Sequence, residues 1–371
     1  MILILLIIIL IYAVTIGQLI RGFNAIKTYK NKELEPKTFF AIVIPFRNEK
    51  ANLPSLLESI KKLNYPKDLF EIILIDDFSE DDSVKIIYNW RMENGEFQTT
   101  LLENVKISNS PKKDAISRAI PIVKNEWIIT TDADCVVPEN WLSTLDDYIQ
   151  NHKTAMIVGA VSYNCNSSFL HQFQQLDVTS LQGATIGSFG MGLGFMCNGA
   201  NFCYTKSLFQ KLYGFSGNNK ISSGDDVFLL QKAIAKCPNE VHYLKSKSNI
   251  VITKPLNSWK ELYHQRARWA SKTSSYESVF GKDLAIIVFV GNLSLVFGLF
   301  FCFIDWIDWR NLILLFVFKF ILDFILLQKT TTFLTEKRMR YLLLSSLIYP
   351  FFCVSVALFS VFKTQEWKGR K

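Results

Sequence analysis

Apolar residues crowd the two ends of this chain, and that uneven spread constrains its fold more than any other feature. Met1 to Ile20 is almost unbroken Leu and Ile, and about 20 such residues can cross a bilayer as a helix. A cleaved signal would want charge before its apolar core. Here Arg21, Lys27, Lys30 and Lys32 come after it instead. Basic residues on that side predict a cytoplasmic middle segment and an N-terminus outside. Three more apolar stretches follow late in the chain: Leu284 to Ile304, Leu312 to Leu327 and Tyr341 to Phe362. Pro350 is expected to kink the last. Lys319 and Asp323, four residues apart, share a helix face. They either neutralise one another in a packed bundle, the reading favoured here, or line a polar path. The loop Lys329 to Arg340 is basic and expected to be cytoplasmic. The tail Lys363 to Lys371 is basic as well, yet three spans would put it outside, against the positive-inside tendency.

Between these ends lies a more polar middle that alternates strand-like and helix-like patterns. Phe39 to Ile44 reads as a buried strand that Pro45 ends, and Asn52 to Leu63 has helical apolar spacing. Glu71 to Ile75 is a second strand, stopping at Asp76-Asp77. Ser79 to Ser83 then opens a helix with capping residue types. Val105 to Ile107 reads as a weak strand, Lys112 to Val123 as a helix and Trp127 to Thr131 as a strand. Apolar strands alternating with helices predict a mostly parallel sheet covered on both faces. Ligands of such sheets bind beyond the carboxyl ends of the strands, where Asp76, Asp77, Asp132 and Asp134 all fall.

Asp132-Ala133-Asp134 places two carboxylates at the mouth of a buried strand. Carboxylate oxygens suit hard cations such as Mg²⁺ or Mn²⁺. Such ions take one or two protein carboxylates and leave the rest of the shell to phosphate and water, which suggests a phosphate-bearing ligand. The plain alternative is a solvated acidic turn. Seven cysteines without a Cys-x-x-Cys pair give no disulfide framework or zinc site, and free thiols fit a reducing compartment. The four histidines are scattered. The net charge of +8 sits mainly beside the apolar runs, which favours anionic lipid headgroups over nucleic acid.

Several motifs together resemble a family 2 glycosyltransferase of the GT-A fold. They are Val43-Ile44-Pro45-Phe46-Arg47-Asn48-Glu49, then Ile75-Asp76-Asp77 through Ser83, then Asp132-Ala133-Asp134. Lys112-Lys113-Asp114-Ala115-Ile116-Ser117 is similar to the family's Lys-x-x-Ala-Leu-Asn segment, and Gly224-Asp225-Asp226 to its acidic motif. Gln265-Arg266-Ala267-Arg268-Trp269 resembles the Gln-x-x-Arg-Trp signature of the membrane-bound members, such as cellulose, chitin and hyaluronan synthases. The resemblance covers roughly residues 38 to 275.

That resemblance implies an α/β, Rossmann-like GT-A domain with flanking transmembrane helices. It implies an inverting hexosyltransferase that moves a sugar from a nucleotide sugar, expected to be a UDP-sugar, to a lipid or polysaccharide acceptor. Asp226 would be the general base with Asp225 beside it. Pro45, Glu49, Asp76, Asp77, Lys112 and Asp132 would bind the donor. Asp132 and Asp134 would hold a divalent metal, Mg²⁺ or Mn²⁺. Gln265, Arg268 and Trp269 would serve the acceptor and the diphosphate. The expected segments are a membrane helix at 1–20, a cytoplasmic catalytic domain at 38–256, an amphipathic interfacial stretch at 257–283 and about three spans within 284–362. The expected setting is the inner membrane, with membrane lipids as partners, no nucleic acid, and room for a homo-oligomer. The glycine-rich stretch Gly183 to Asn201 reads as a flexible or closely packed loop near the acceptor path. Two other classes stay open: a catalytically silent nucleotide-sugar-binding scaffold, and a transporter subunit.

Overall fold

The computed structural model describes residues 1–218 and 224–362; the basic tail at 363–371 lies outside the described residues. In chain order the elements begin with α1 (Ile2–Ala25), β1 (Phe40–Phe46), α2 (Leu53–Lys61), β2 (Phe70–Asp76), α3 (Ser83–Glu93), β3 (Gln98–Glu103) and α4 (Pro111–Ala119). There follow β4 (Trp127–Thr130), α5 (Trp141–Asn151), β5 (Met156–Gly159), β6 (Val161–Tyr163), α6 (Phe169–Gly190), β7 (Phe202–Thr205) and α7 (Lys206–Lys211). The last are α8 (Asp225–Lys236), β8 (Val241–Leu244), β9 (Val251–Thr253), α9 (Trp259–Ala270), α10 (Val279–Phe303), α11 (Trp309–Leu334) and α12 (Leu342–Phe362). They form two compact units, one from residues 27–164 and 196–254, the other from 1–26, 165–195 and the chain from Pro255 onward.

The first unit is built on a seven-stranded sheet of order β3-β2-β1-β4-β7-β5-β8. Strands β3, β2, β1 and β4 are mutually parallel, β7 is antiparallel to both its neighbours, and β5 and β8 are parallel. A short parallel pair, β6 and β9, stands apart from it. The mostly parallel α/β sheet expected from the apolar runs is therefore present. Phe40, Ile42, Ile44, Ile72, Leu74 and Ile129 are essentially closed to solvent and form its core with Leu53, Leu56 and Leu57 of α2. From β1 the chain steps to β2 and β3 on one side and returns to β4 on the other. That reversal opens a crevice at the carboxyl ends of β1 and β4.

Two local expectations are corrected. β1 runs through Pro45 to Phe46 rather than ending at the proline. The carbonyl of Val43 faces β4, accepting from Thr131, so Pro45 faces the same side, beyond the point where β4 pairs with β1. Its missing N–H therefore costs no ladder bond. The third strand is Gln98–Glu103, not 105–107. Val105 and Ile107 are exposed, and the amides of Ile107 and Ser108 donate to Oδ2 of Asp114 instead of to a neighbouring strand.

The second unit is helical. Helices Ile2–Ala25, Val279–Phe303, Trp309–Leu334 and Leu342–Val361 are long and apolar enough to cross a membrane. Leu3, Ile4, Ile7, Leu10 and Ile11 project outward from α1, where a water-facing helix would carry polar residues. Within this unit Lys319 donates to Asp323 at 2.7 Å, and Tyr12 of α1 donates to the other carboxylate oxygen at 2.6 Å. The two charges thus neutralise one another inside the bundle.

The glycine-rich stretch is not a loop at its start: α6 continues through Gly190. Gly187 and Gly190 meet the backbone of Leu19 and Gly22 on α1, and Gly183 meets Leu326 and Thr330 on α11. Small residues let helix backbones approach closely, so here the glycines mark helix contacts rather than a turn.

Candidate active site

The site grows from the strand ends of the α/β unit. After β4 the chain turns, with the amide of Cys135 donating to the carbonyl of Asp132. Ala133 and Cys135 point into the core, while Asp132 and Asp134 are half-buried. Burial first, then the charges of Asp134 and Asp132, push the Cys135 thiol up, which keeps it protonated.

Lys112 arrives from the first turn of α4, which opens on Pro111. The loop before it is fixed by Asp114. The neighbouring Lys113 turns inward and donates to the carbonyl of Asn218 at 2.8 Å, so the two lysines divide their work. Lys112 Nζ donates to Asp132 Oδ1 at 2.6 Å and lies 3.5 Å from Asp225 Oδ2. Burial works against its charge, but Asp132, Asp225 and Asp226 outweigh it and hold the lysine pKa above the ordinary value.

Asp225 and Asp226 form the first turn of α8, where the helix dipole favours carboxylates. Gly224 precedes them with φ +82°, a left-handed conformation that glycine adopts without penalty. Asp226 accepts from the amide of Gly199 at 2.7 Å through Oδ2, and from the amide of Val227 at 2.8 Å through Oδ1. A carboxylate has about four acceptor positions, so capacity remains for a substrate hydroxyl.

Gly199 is itself held from below. Thr130 Oγ1 at the end of β4 donates to its carbonyl at 2.7 Å. Two residues on, Asn201 accepts from the indole N–H of Trp141 at 3.0 Å and donates to the carbonyls of Ala160 and Asn249. All of these are buried. Thr130 and Trp141 carry no role in the sequence reading. Their only signal was a polar group set among apolar strand and helix residues.

The other residues expected to bind the donor sit at the ends of β1 and β2. Asp77 is buried, accepts from Asn104 Nδ2 at 2.8 Å, and its amide donates to the carbonyl of Phe46. Asp76 accepts from the amide of Ser79 at 3.0 Å, which shapes the turn into α3. Glu49 accepts from Asn52 at 2.7 Å, and its amide donates to Ser83 Oγ at 2.8 Å. Pro45 is half-buried beside them. The structure therefore gathers Lys112, Asp132, Asp225 and Asp226 within a few ångströms. Asp76, Asp77, Pro45 and Glu49 stand at the neighbouring strand ends.

Gln265, Arg268 and Trp269 lie on α9, in the helical unit. All three are half-buried. Arg266, between them, is buried and donates to Gln265 Oε1 and to Asp177 of α6. Its guanidinium lies over the Trp269 ring, 4.2 Å from the centroid.

Among the described residues no three His, Cys, Asp or Glu side chains converge as a full metal shell. The half-buried Asp132 and Asp134 offer hard oxygen donors only. They fit a cation that completes its shell with phosphate and water, not a dedicated protein cage.

The model of glycosyl transferase family 2 matches residues 41–213. A poly-beta-1,6-N-acetyl-D-glucosamine synthase of Staphylococcus epidermidis is 29% identical over 37% of this chain and 32% of its own length. A beta-monoglucosyldiacylglycerol synthase of Trichormus variabilis is 25% identical over 62% of this chain and 48% of its own. The matches thus span less than half of either relative. A mannosyltransferase from Pyrobaculum calidifontis, solved in complex with GDP-Man and Mn²⁺, superposes with a TM-score of 0.61. It is 15% identical and the alignment covers 94% of this chain and 99% of that one. Sheet and family model agree: residues 41–213 match glycosyl transferase family 2, on a domain of the GT-A fold.

Proposed function

We propose that this protein transfers a sugar from a nucleotide sugar, a UDP-sugar, to a lipid or polysaccharide acceptor at the inner face of a membrane, with inversion at the anomeric carbon. The observation that carries this reading is the cluster in which Lys112 bridges Asp132 and Asp225 while Asp226 hangs from the Gly199 amide. One group there can neutralise a phosphate, and another can take a proton.

The donor lies across the carboxyl ends of β1, β2 and β4. Asp77, fixed by Asn104, receives the base, with Pro45, Glu49 and Asp76 shaping that pocket. Asp132 and Asp134 hold a divalent cation, which supplies charge neutralisation for the departing diphosphate when bound. Lys112 adds a fixed positive charge beside it. Asp226 takes the proton of the acceptor hydroxyl, and that oxygen attacks the anomeric carbon from the face opposite the diphosphate. The carbon–oxygen bond to the diphosphate breaks and the nucleoside diphosphate leaves. Gln265, Arg268 and Trp269 serve the acceptor and the diphosphate.

Support for a polysaccharide or lipid acceptor comes from the two relatives, whose names describe N-acetylglucosamine polymer and glucolipid synthesis. The mannosyltransferase of like fold was solved with Mn²⁺. Four helices long and apolar enough to span a bilayer support a membrane setting for the reaction. The test is a donor screen on membranes containing the protein, with and without chelator, followed by mass analysis of lipid and polymer products. Metal-dependent consumption of a UDP-sugar with a new glycolipid or glycan is expected. Binding of UDP with no transfer to any product would overturn the reading.

A further inference from the structure

In the helical unit, the buried acid Asp177 is used by neither the family motifs nor the donor site. Asp177 is the sole acidic residue of α6, and it is only 5% exposed. A carboxylate so deeply buried stands only when charged or hydrogen-bonded partners compensate it. Its partners are specific. Nε of Arg266 donates to Oδ2, and the hydroxyl of Tyr349 on α12 donates to Oδ1 at 3.3 Å. Arg266 also donates to Gln265 and stacks on Trp269.

From this arrangement we infer that Asp177 is a positioning residue for the Gln265–Trp269 segment, acting through the guanidinium of Arg266. One buried carboxylate orients one planar cation. That cation in turn fixes the amide of Gln265 along an edge and the indole of Trp269 across a face. Arginine suits this task because its donors and its stacking plane are rigidly coupled, so turning one turns the other. Tyr349 restrains the second carboxylate oxygen, and thereby the angle of the whole array. The inference rests on the reading that Gln265 and Trp269 serve the acceptor or the diphosphate.

The test uses the full chain in lipid nanodiscs. Asp177→Asn alone leaves Arg266 buried without its counter-ion, so loss of fold would be ambiguous. The double variant Asp177→Leu/Arg266→Met removes both charges at similar volume, and such swaps commonly keep a protein folded. Tyr349→Phe removes a single hydroxyl. Thermal midpoint, donor affinity, kcat and KM are measured for both, with Trp269→Ala and Gln265→Ala alongside. The double variant is expected to keep its thermal midpoint and donor affinity while kcat falls at least tenfold, and Tyr349→Phe to lose a few-fold in kcat. Wild-type kcat in both, with Trp269→Ala impaired, would overturn the positioning role and leave the segment's role intact. Wild-type kcat in Trp269→Ala and Gln265→Ala would overturn the reading of the segment itself, and the positioning role with it.

Discussion

The backbone amide of Gly199 donates to Oδ2 of Asp226 at 2.7 Å, so a main-chain group orients the proposed base. A Cβ added at Gly199 would lie 3.1 Å from Lys112 Nζ, 3.3 Å from Asp225 Oδ2 and 3.4 Å from Asp226 Oδ2. Gly199→Ala should therefore spread the three charged groups by tenths of an ångström without disturbing the core. Misplacement on this scale is expected to lower kcat by about tenfold. Thermal unfolding should shift little. Measuring both in one preparation checks the prediction, and an unchanged kcat would count against a shared site.

Asp226→Asn keeps the shape of the side chain and one carbonyl oxygen for the Gly199 amide, but it cannot take a proton. Donor binding, followed by titration calorimetry with UDP, should stay close to wild type. Sugar transfer should fall by about 10²–10⁴-fold, the usual contribution of a positioned general base. Full turnover would reject the assignment.

Lys112→Met tests the cation of the cluster. It leaves Asp225, which is 7% exposed, without its ammonium neighbour. Losing such a partner costs roughly 1–3 kcal/mol, toward the low end here because Asp132 is 39% open to solvent. The sign of the pH dependence follows from the raised lysine pKa. Stabilisation is complete below the unfolded value of about 10.4 and lost only as pH rises through the higher folded value. The stability gap between variant and wild type should accordingly be flat from about pH 6 to 9. A gap that closes with rising pH in that range would contradict the pairing.

Removal of divalent metal by a chelator should suppress transfer, and Mg²⁺ or Mn²⁺ should restore it. Asp134→Asn should raise the metal concentration needed for half-maximal rate more than it changes donor KM at saturating metal, because a neutral amide is the weaker ligand for a hard cation. A metal titration of initial rates reads both quantities. Rates that ignore the chelator would remove Asp132 and Asp134 from that role.

How far the sequence could be read depended on which interactions were local. The parallel strands were legible because burial on both faces demands apolar runs, and the acids followed those runs directly, as Asp76 follows Ile75 and Asp132 follows Thr131. The pairing of Lys112 with Asp132 and Asp225 was not legible, since it joins residues 20 and 113 positions apart. Val105 to Ile107 misled because its apolar residues are exposed while Asp114 takes the amides. Asp177 gives no sequence signal, because a lone polar residue in a helix reads as a solvent-facing position. Gly183 to Asn201 reads as a flexible or closely packed loop because glycine density alone does not distinguish a turn from a helix face pressed against another helix.

That last distinction yields a prediction about the helical unit. A Cβ at Gly190 would fall 1.9 Å from the carbonyl oxygen of Gly22, and one at Gly22 would fall 2.0 Å from that of Gly187. Backbone on both sides leaves no flexible side chain to yield, so Gly190→Val must push α1 and α6 apart. Overpacking of this kind costs about 1–3 kcal/mol, and more where neither partner can move. Gly17 lies on the same α1, with nothing within 4 Å of the added carbon. Gly17→Ala should be neutral or stabilise by about 0.5–1 kcal/mol through helix propensity. Thermal unfolding of both variants in the same lipid compares a helix contact with a merely permissive glycine. Equal midpoints would mean that α1 and α6 do not depend on this close approach.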